Sequence, residues 1–482
     1  MCMKLKLIGT FLLLATMVGC SVSELENLND QDQIDQEIKK RKSTISRSVM
    51  AASDHGPTNL IGHGYDATGL YANRVSAKLA VIDVPKFIAN NNERFIDDVG
   101  VNDDFRYIIA DNAESYSDSL SININSGFGV KKMFRTEINA SFGGSSAYHG
   151  SYSLASANKR IFMRTLRLAT AVEDLRNNYL SREFLEDLEK YSPQDLVEFY
   201  GTHVLTHIHL GAKFCLGYKT ETNTENKHQS VAAGLALNGL QKVWNVKVDF
   251  AYNHSAANSN SKQQINYRSI GGDGSKGLVG EMILDGKTPQ KINIDNWQST
   301  VNLKNAVLIE YGKNGMVPIY EFISNPTKRE YMKIYLEWYL NKNSTKITLN
   351  KIPVYRYYWT WAQDHIYDPR PNLRDYDSNL QKEHIPFYVY NYQAPNSVPV
   401  YKYYIKSYKS HVYYTDPNLQ RRNSDLSNQG IIFYVPKATV PGAVPIYKHF
   451  HASMHDHTFE RNNYFIGWEN QGIVFYAFPK PQ

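Results

Sequence analysis

His203, His207 and His209 are the residues whose type and spacing most invite chemistry. All three fall on odd positions, so on an extended strand they would share one face, an arrangement able to hold a metal ion. The rest of a zinc site is missing, because the chain has no His-Glu-x-x-His helix and no paired cysteines. Hydrogen-bonded structural histidines are therefore the favoured reading, and no metal or cofactor is expected. There is no Gly-x-Ser-x-Gly, and the glycine-rich run 62–69 is not followed by the Lys-Ser/Thr pair of a phosphate loop. No catalytic residue is assigned, and the chain is not expected to be an enzyme.

A second set of candidates lies near the C-terminus. Pro353, Pro399 and Pro445 recur at a spacing of 46, as do Tyr355, Tyr401, Tyr447 and His365, His411, His457. Each unit ends in Phe-Tyr, the last after a four-residue shortening. This is an internal threefold repeat of short β-branched and aromatic runs, which predicts an all-β module, a trefoil or a prism. It holds 18 of the 35 tyrosines. Aromatic rings with polar tips suit sugar faces and membrane interfaces alike. Trp359, Trp361, Tyr408 and Trp468 stand outside the repeated frame and are the ligand-binding candidates, for a surface glycan first and a lipid headgroup second.

The elements that must position these groups begin with residues 192–215. Ser192 can cap a helix with Pro193 in its first turn and Asp195 closing a capping box, Gly201 ends it, and a strand follows to Gly211. Tyr200, Gly201, Thr202 and His203, then a strand and Gly211, resemble the signature of the membrane-attack-complex/perforin (MACPF) family. Val204 and Ala212 depart from it, where that family usually has an aromatic residue and a second glycine. The glycine-rich opening 62–69 with the expected strand Leu79–Pro85, the turn at Gly271-Gly272, and Trp297, Val317-Pro318-Ile319-Tyr320 and a closing helix follow in family order. The resemblance spans about 60–340 and implies an α+β fold, a bent antiparallel sheet flanked by helical clusters. It also implies two segments, near 112–158 and 222–266, that are helical in the soluble form and unfurl into hairpins in an oligomeric pore.

The residues carry their own support for those segments. Leu120, Ile122, Ile124, Phe128 and Val130 alternate with polar residues, and after Lys131-Lys132 come Phe134, Ile138 and Phe142 on one face. Runs of this length approach the ~9–11 residues of a tilted transmembrane strand. A half-buried sheet that never enters a membrane gives the same alternation. Val246, Val248, Phe250 and Tyr252 form a second clean run, preceded by a weaker one at Val231, Ala233, Leu235 and Leu237. Gly271 and Gly272 are hinge candidates. Residues 161–188 approximate a helical period, with Lys159, Arg160, Arg164 and Arg167 expected on a solvated face.

Length and composition complete the frame. A chain of 482 residues with 42% hydrophobic and 21% charged residues is too long for one core, and a net charge of +6 does not argue for nucleic acid. Residues 1–19 read as a signal peptide, and Met17-Val18-Gly19-Cys20 resembles a bacterial lipobox, with Cys20 as the lipidated residue; a plain cleaved signal peptide is the alternative. Residues 20–55 read as a disordered tether, 56–345 as the MACPF-like domain and 350–482 as the threefold module. The expectation is an exported lipoprotein at the outer membrane or cell surface, or released from it. It would form a homo-oligomer on target membrane lipid, insert two hairpins per subunit and act as an antibacterial toxin. A non-lytic adhesin or glycan-binding protein on the same fold is the alternative.

Overall fold

The computed structural model describes residues 60–124, 132–222, 226–247, 254–284 and 289–481. The leader, Cys20, the tether, and the insertion candidates Phe128, Val130, Val248, Phe250 and Tyr252 lie outside the described residues.

The first domain is built on strands β1 (His63–Tyr65), β2 (Ala77–Ala80), β3 (Phe95–Ala110), β4 (Tyr152–Leu168), β5 (His203–Leu205), β6 (His207–Thr222), β7 (Asn260–Ile270), β8 (Val279–Leu284), β9 (Val307–Tyr311) and β10 (Met316–Pro318). Its longer helices are α1 (Val84–Asn90), α2 (Ala113–Leu120), α3 (Arg135–Phe142), α4 (Val172–Asn178), α5 (Arg182–Lys190), α6 (Pro193–Tyr200), α7 (Lys227–Gly234) and α8 (Pro326–Lys342). The large sheet runs β3-β4-β6-β7-β8, antiparallel throughout, with β9 on the first part of β6. A small sheet, β10-β5-β1-β2, stands beside it.

The large sheet is bent, and the bend shows in its register. Between Val99 and Asn102 on β3 and between Phe162 and Arg164 on β4 the pairing shifts, and the β6–β9 ladder shifts at His209–Leu210. Bulges in neighbouring strands turn the sheet locally without ending it.

Three sequence expectations are corrected here. Residues 161–168 are strand, not helix, and helix begins only at Val172. Three of the four basic residues are tied across the sheet instead of standing on a free solvated face: Arg160 donates to Asp104 at 2.7 Å and Arg164 to Asp97 at 2.6 Å on β3, and Lys159 pairs with Asp103, while Arg167 is exposed. Strand β2 ends at Ala80, because Asp83 caps α1 and Pro85 lies in its first turn.

The second domain comprises β11 (Ile352–Trp359), β12 (Asp364–Asp368), β13 (Leu380–Lys382), β14 (Phe387–Val389), β15 (Ser397–Ile405), β16 (Ser410–Tyr414), β17 (Leu426–Pro436), β18 (Val444–His451), β19 (Asp456–Glu460) and β20 (Glu469–Ala477). They make three sheets, centred on β11, β15 and β18, each flanked by its neighbours in sequence. The hairpin turns repeat to the residue: Gln363, Lys409 and His455 all take φ of +54 to +55°. Strands β12, β16 and β19 pack on one another around a shared core of Tyr367, Tyr413 and Phe459.

Candidate functional site

The signature residues form a tight corner. Ser192 and Asp195 close the capping box of α6, and Gly201 ends the helix at φ +73°, where a Cβ would lie 2.5 Å from the Tyr65 carbonyl carbon. The Thr202 hydroxyl donates to Tyr65 O (3.0 Å) and accepts from Ala67 N (2.9 Å), so His203 Nδ1, 2.9 Å away, is the donor to it. His203 Nε2 is buried without a partner, and burial lowers the pKa of the ring to about 3. Tyr200 donates to buried Asp187 at 2.8 Å. His203 sits in the small sheet and His207 and His209 in the large one, so the three imidazoles do not share one strand face. Among the described residues no three metal-ligating side chains cluster.

Glycines sit at the bend. A Cβ on Gly211 would lie 1.9 Å from Ile161 O. Gly271 and Gly272 both have positive φ, and Gly271 O accepts from the Trp297 indole at 2.8 Å. A Cβ on Gly271 would meet Gly211 O at 2.7 Å, so hinge candidate and signature glycine touch across the sheet.

The first segment is helical. Leu120 in α2, Ile138 and Phe142 in α3 and Phe134 just before α3 are buried, Ile124 lies shortly after α2 and is also buried, and Ile122 is 77% exposed. Glu137 fastens α3 to the sheet: it accepts from Arg268 on β7, from Ser141 (2.8 Å) and from Tyr71 N (3.0 Å). This cluster covers one face of the sheet, packing on Ile108, Ala110 and Leu154.

The second segment covers the other face. α7 continues into a π-helical run, Leu235–Trp244, and Val231, Leu235, Leu240, Val243 and Trp244 pack with Phe214 and Tyr218. Val246 follows, packed on that core. The first segment also touches the connector to the second domain, and the second segment reaches that domain itself. Thr345 N donates to Lys132 O (2.8 Å), Ile347 N to Glu114 (3.0 Å) and Thr348 N to Tyr148 O (2.7 Å). Lys227 at the start of α7 lies 5.1 Å from the Tyr392 ring centroid, and burial lowers its pKa to about 8.

In the second domain the structure reveals a closed ring of polar contacts that sequence reasoning missed. Asp364 accepts from His411 through N (3.0 Å) and Nδ1 (2.5 Å), and Asp456 accepts from His365 in the same way. Ser410 meets His457 Nδ1 at 3.2 Å. Each repeat thus holds the next, and the signal was the acid or serine before each repeated histidine. Burial alone would lower the His365 pKa, but hydrogen bonds to Asp456 and Glu383 outweigh it and raise it to about 9. The ligand candidates lie where one repeat meets the next. Trp359 and Trp361 are 5.6 Å apart with Trp361 68% exposed, Tyr408 stacks on His455 at 4.8 Å, and Trp468 lies 5.0 Å from His451 and 6.0 Å from His365.

A bent antiparallel sheet whose neighbouring strand pairs are closed by helical clusters is the architecture that the signature residues implied. The chain belongs to the MAC/Perforin family, whose domain model matches residues 54–347. Residues 320–424 and 353–478 match a domain of unknown function (DUF5648). No curated protein matches the sequence. Similar solved structures include a putative cell invasion protein with a MAC/Perforin domain from Bacteroides thetaiotaomicron, at 15% identity and TM-score 0.48, covering 64% of this chain and 66% of that one. GNIP1Aa from Chromobacterium piscinae is 14% identical at TM-score 0.46, covering 87% and 78%. Among the described residues no helix is long and apolar enough to cross a membrane, which leaves crossing by strands untouched.

Proposed function

We propose that this chain is a pore-forming protein, delivered by a lipid-anchored export route, that oligomerises on a target membrane and inserts two β-hairpins per subunit. The observation that carries the reading is the register of β3 and β4, whose last pair is Ala110 with Leu154. The first segment is the loop that closes this antiparallel pair. Continuing the register one for one opposes Ile122 to Phe142 and Ile124 to Ala140, and the sequence then sets Val130 against Phe134 across a Lys131–Met133 turn. Partners directly opposite share a face, so these apolar residues fall in one row on the side of Ile108, Ala110 and Leu154. Polar Asn123, Asn139 and Ser141 fall on the other side, toward a water-filled lumen. A closed barrel satisfies every backbone N–H and C=O in hydrocarbon.

Targeting is assigned to the second domain, whose aromatics Trp359, Trp361, Tyr408 and Trp468 at the repeat boundaries suit a surface glycan or a lipid headgroup. An antibacterial toxin is the setting this reading favours. The test is dye release from liposomes by the wild type and by a Thr68→Cys/Thr136→Cys protein. Those two backbones already meet, Thr136 N to Thr68 O at 3.2 Å. The oxidised form is expected to bind and not to release dye, and reduction to restore release. Equal release in both forms would sink the hairpin assignment, and binding without release by the wild type would favour the adhesin.

A further inference from the structure

The second segment closes β6 and β7, but that ladder is not continuous. Pairing runs unbroken from Lys213–Ile270 to Lys219–Gln264, and from Glu221–Ser261 to Thr222–Asn260 it is displaced by one residue. Lys262 and Gln263 together oppose Thr220, and Lys262 has φ +48°, a left-handed conformation that a long side chain rarely adopts. This is a β-bulge, and it changes which way side chains face. Before it, even-numbered residues of β7 face the first segment, as Arg268 does in reaching Glu137. After it, Asn260 faces the second segment and donates to Ser230 O on α7 at 2.7 Å.

The consequence appears when the ladder is continued. With the bulge kept, Val246 opposes Ala236, and Leu235 and Leu237 oppose Lys247 and Asn245, so neither face is apolar throughout. With the bulge removed, Leu237 opposes Val246, and the sequence sets Leu235, Ala233 and Val231 against Val248, Phe250 and Tyr252. That single row lies on the side of the sheet occupied by odd residues of β6. Gly217 shows which side this is, since its Cβ would meet Ser141 O of α3 at 2.0 Å. It is the side on which the first hairpin places its own apolar row.

We propose that the bulge at Lys262 is a register switch, held while the second segment is helical and expelled when it refolds, so that both hairpins turn apolar rows to the same side. The proposal rests on the pore-forming reading. The resting contacts fit it. Gln263 accepts from Asn238 in the π-helical run (2.7 Å) and Asn260 donates to Ser230, so unwinding the segment removes two of the bulge's fastenings together. A further one, Lys262 to Glu221 at 3.0 Å, is exposed at the lysine. On the far side of β7 the β8 ladder is continuous through Gln263–Leu284, so expelling the bulge leaves β8 in place.

The test uses full-length chain on phosphatidylethanolamine–phosphatidylglycerol vesicles, with cysteine pairs reporting register. Leu237→Cys with Val246→Cys is expected to cross-link in the inserted form, and Ala236→Cys with Val246→Cys is not. Ile122→Cys with Phe142→Cys reports the first hairpin independently. Deleting Lys262 fixes the unfavourable register and is expected to lower dye release at least tenfold, while adding one residue after Asn258 to the deleted chain restores it. Cross-linking of 236 with 246, or undiminished release after the deletion, overturns the switch while the first-hairpin pair still supports insertion. Silence at all three pairs, with no release by the wild type, overturns the pore-forming reading and the switch with it.

Discussion

Two buried histidines, one in each domain, are held in opposite electrical states. His203 is enclosed in the MACPF corner with one nitrogen on Thr202 and the other unpartnered, and burial keeps it neutral. His365 lies between Asp456 and Glu383 and is held charged. The difference follows from what each histidine joins. In the corner it fills space between elements already tied by backbone bonds, whereas in the threefold domain it links repeats that share few backbone bonds with one another.

The strongest way to break the contrast is Asp456→Ala, which leaves a buried imidazolium with Glu383 alone and strands two backbone N–H groups, from His365 and His457. The expected loss is about 3–5 kcal/mol in the second domain alone, read by denaturant unfolding with probes in each domain. A destabilised MACPF domain in that variant would mean that the ring is not local.

A smaller effect is expected from pH, with opposite signs. His203 has a folded pKa below its ordinary value, so its contribution falls as pH drops below about 6.5 toward 3, at up to about 1.4 kcal/mol per unit. His365 has a raised folded pKa, so its contribution is whole below about 6.5 and is lost as pH rises through 9. His457, lowered to about 4 by burial, runs against it in the same domain. The alkaline limb is therefore measured as the difference in melting temperature between wild type and His365→Gln from pH 6 to 10. A difference that does not shrink as pH rises would contradict the charged assignment.

The smallest expected change sharpens the comparison at the surface. Trp361→Ala should alter stability by less than about 0.5 kcal/mol, since the ring is largely exposed. It should nonetheless weaken target binding, measured by sedimentation with cells or vesicles. Unchanged binding would move the ligand site to another repeat boundary.

Much of this architecture was legible where local chemistry and geometry coincide. The Ser192–Asp195 box, Pro193 and Gly201 announce α6 from both ends, and the 46-residue spacing announces three matching hairpins. The long strand β4 was misread because Phe162, Leu166, Leu168, Val172 and Leu175 mimic a helical period across a real boundary. The corrective signal lay elsewhere: Asp97, Asp103 and Asp104 on one run answer Arg164, Lys159 and Arg160 on another, as cross-strand pairing requires. Glu137 anchors a helix to the sheet through Arg268, a long-range partner that no local pattern announces. No sequence period reports Lys262, since a bulge is a property of a strand pair.

The connector carries a practical consequence. Asn350 N rests on the Tyr392 hydroxyl at 3.2 Å, and residues 345–348 are bonded to the backbone or side chains of the first segment. Amputating the second domain would therefore remove the proposed recognition element and loosen a mechanical stay in one cut. A truncated chain that leaked through vesicles without regard to target would be reporting lost restraint as much as lost aim.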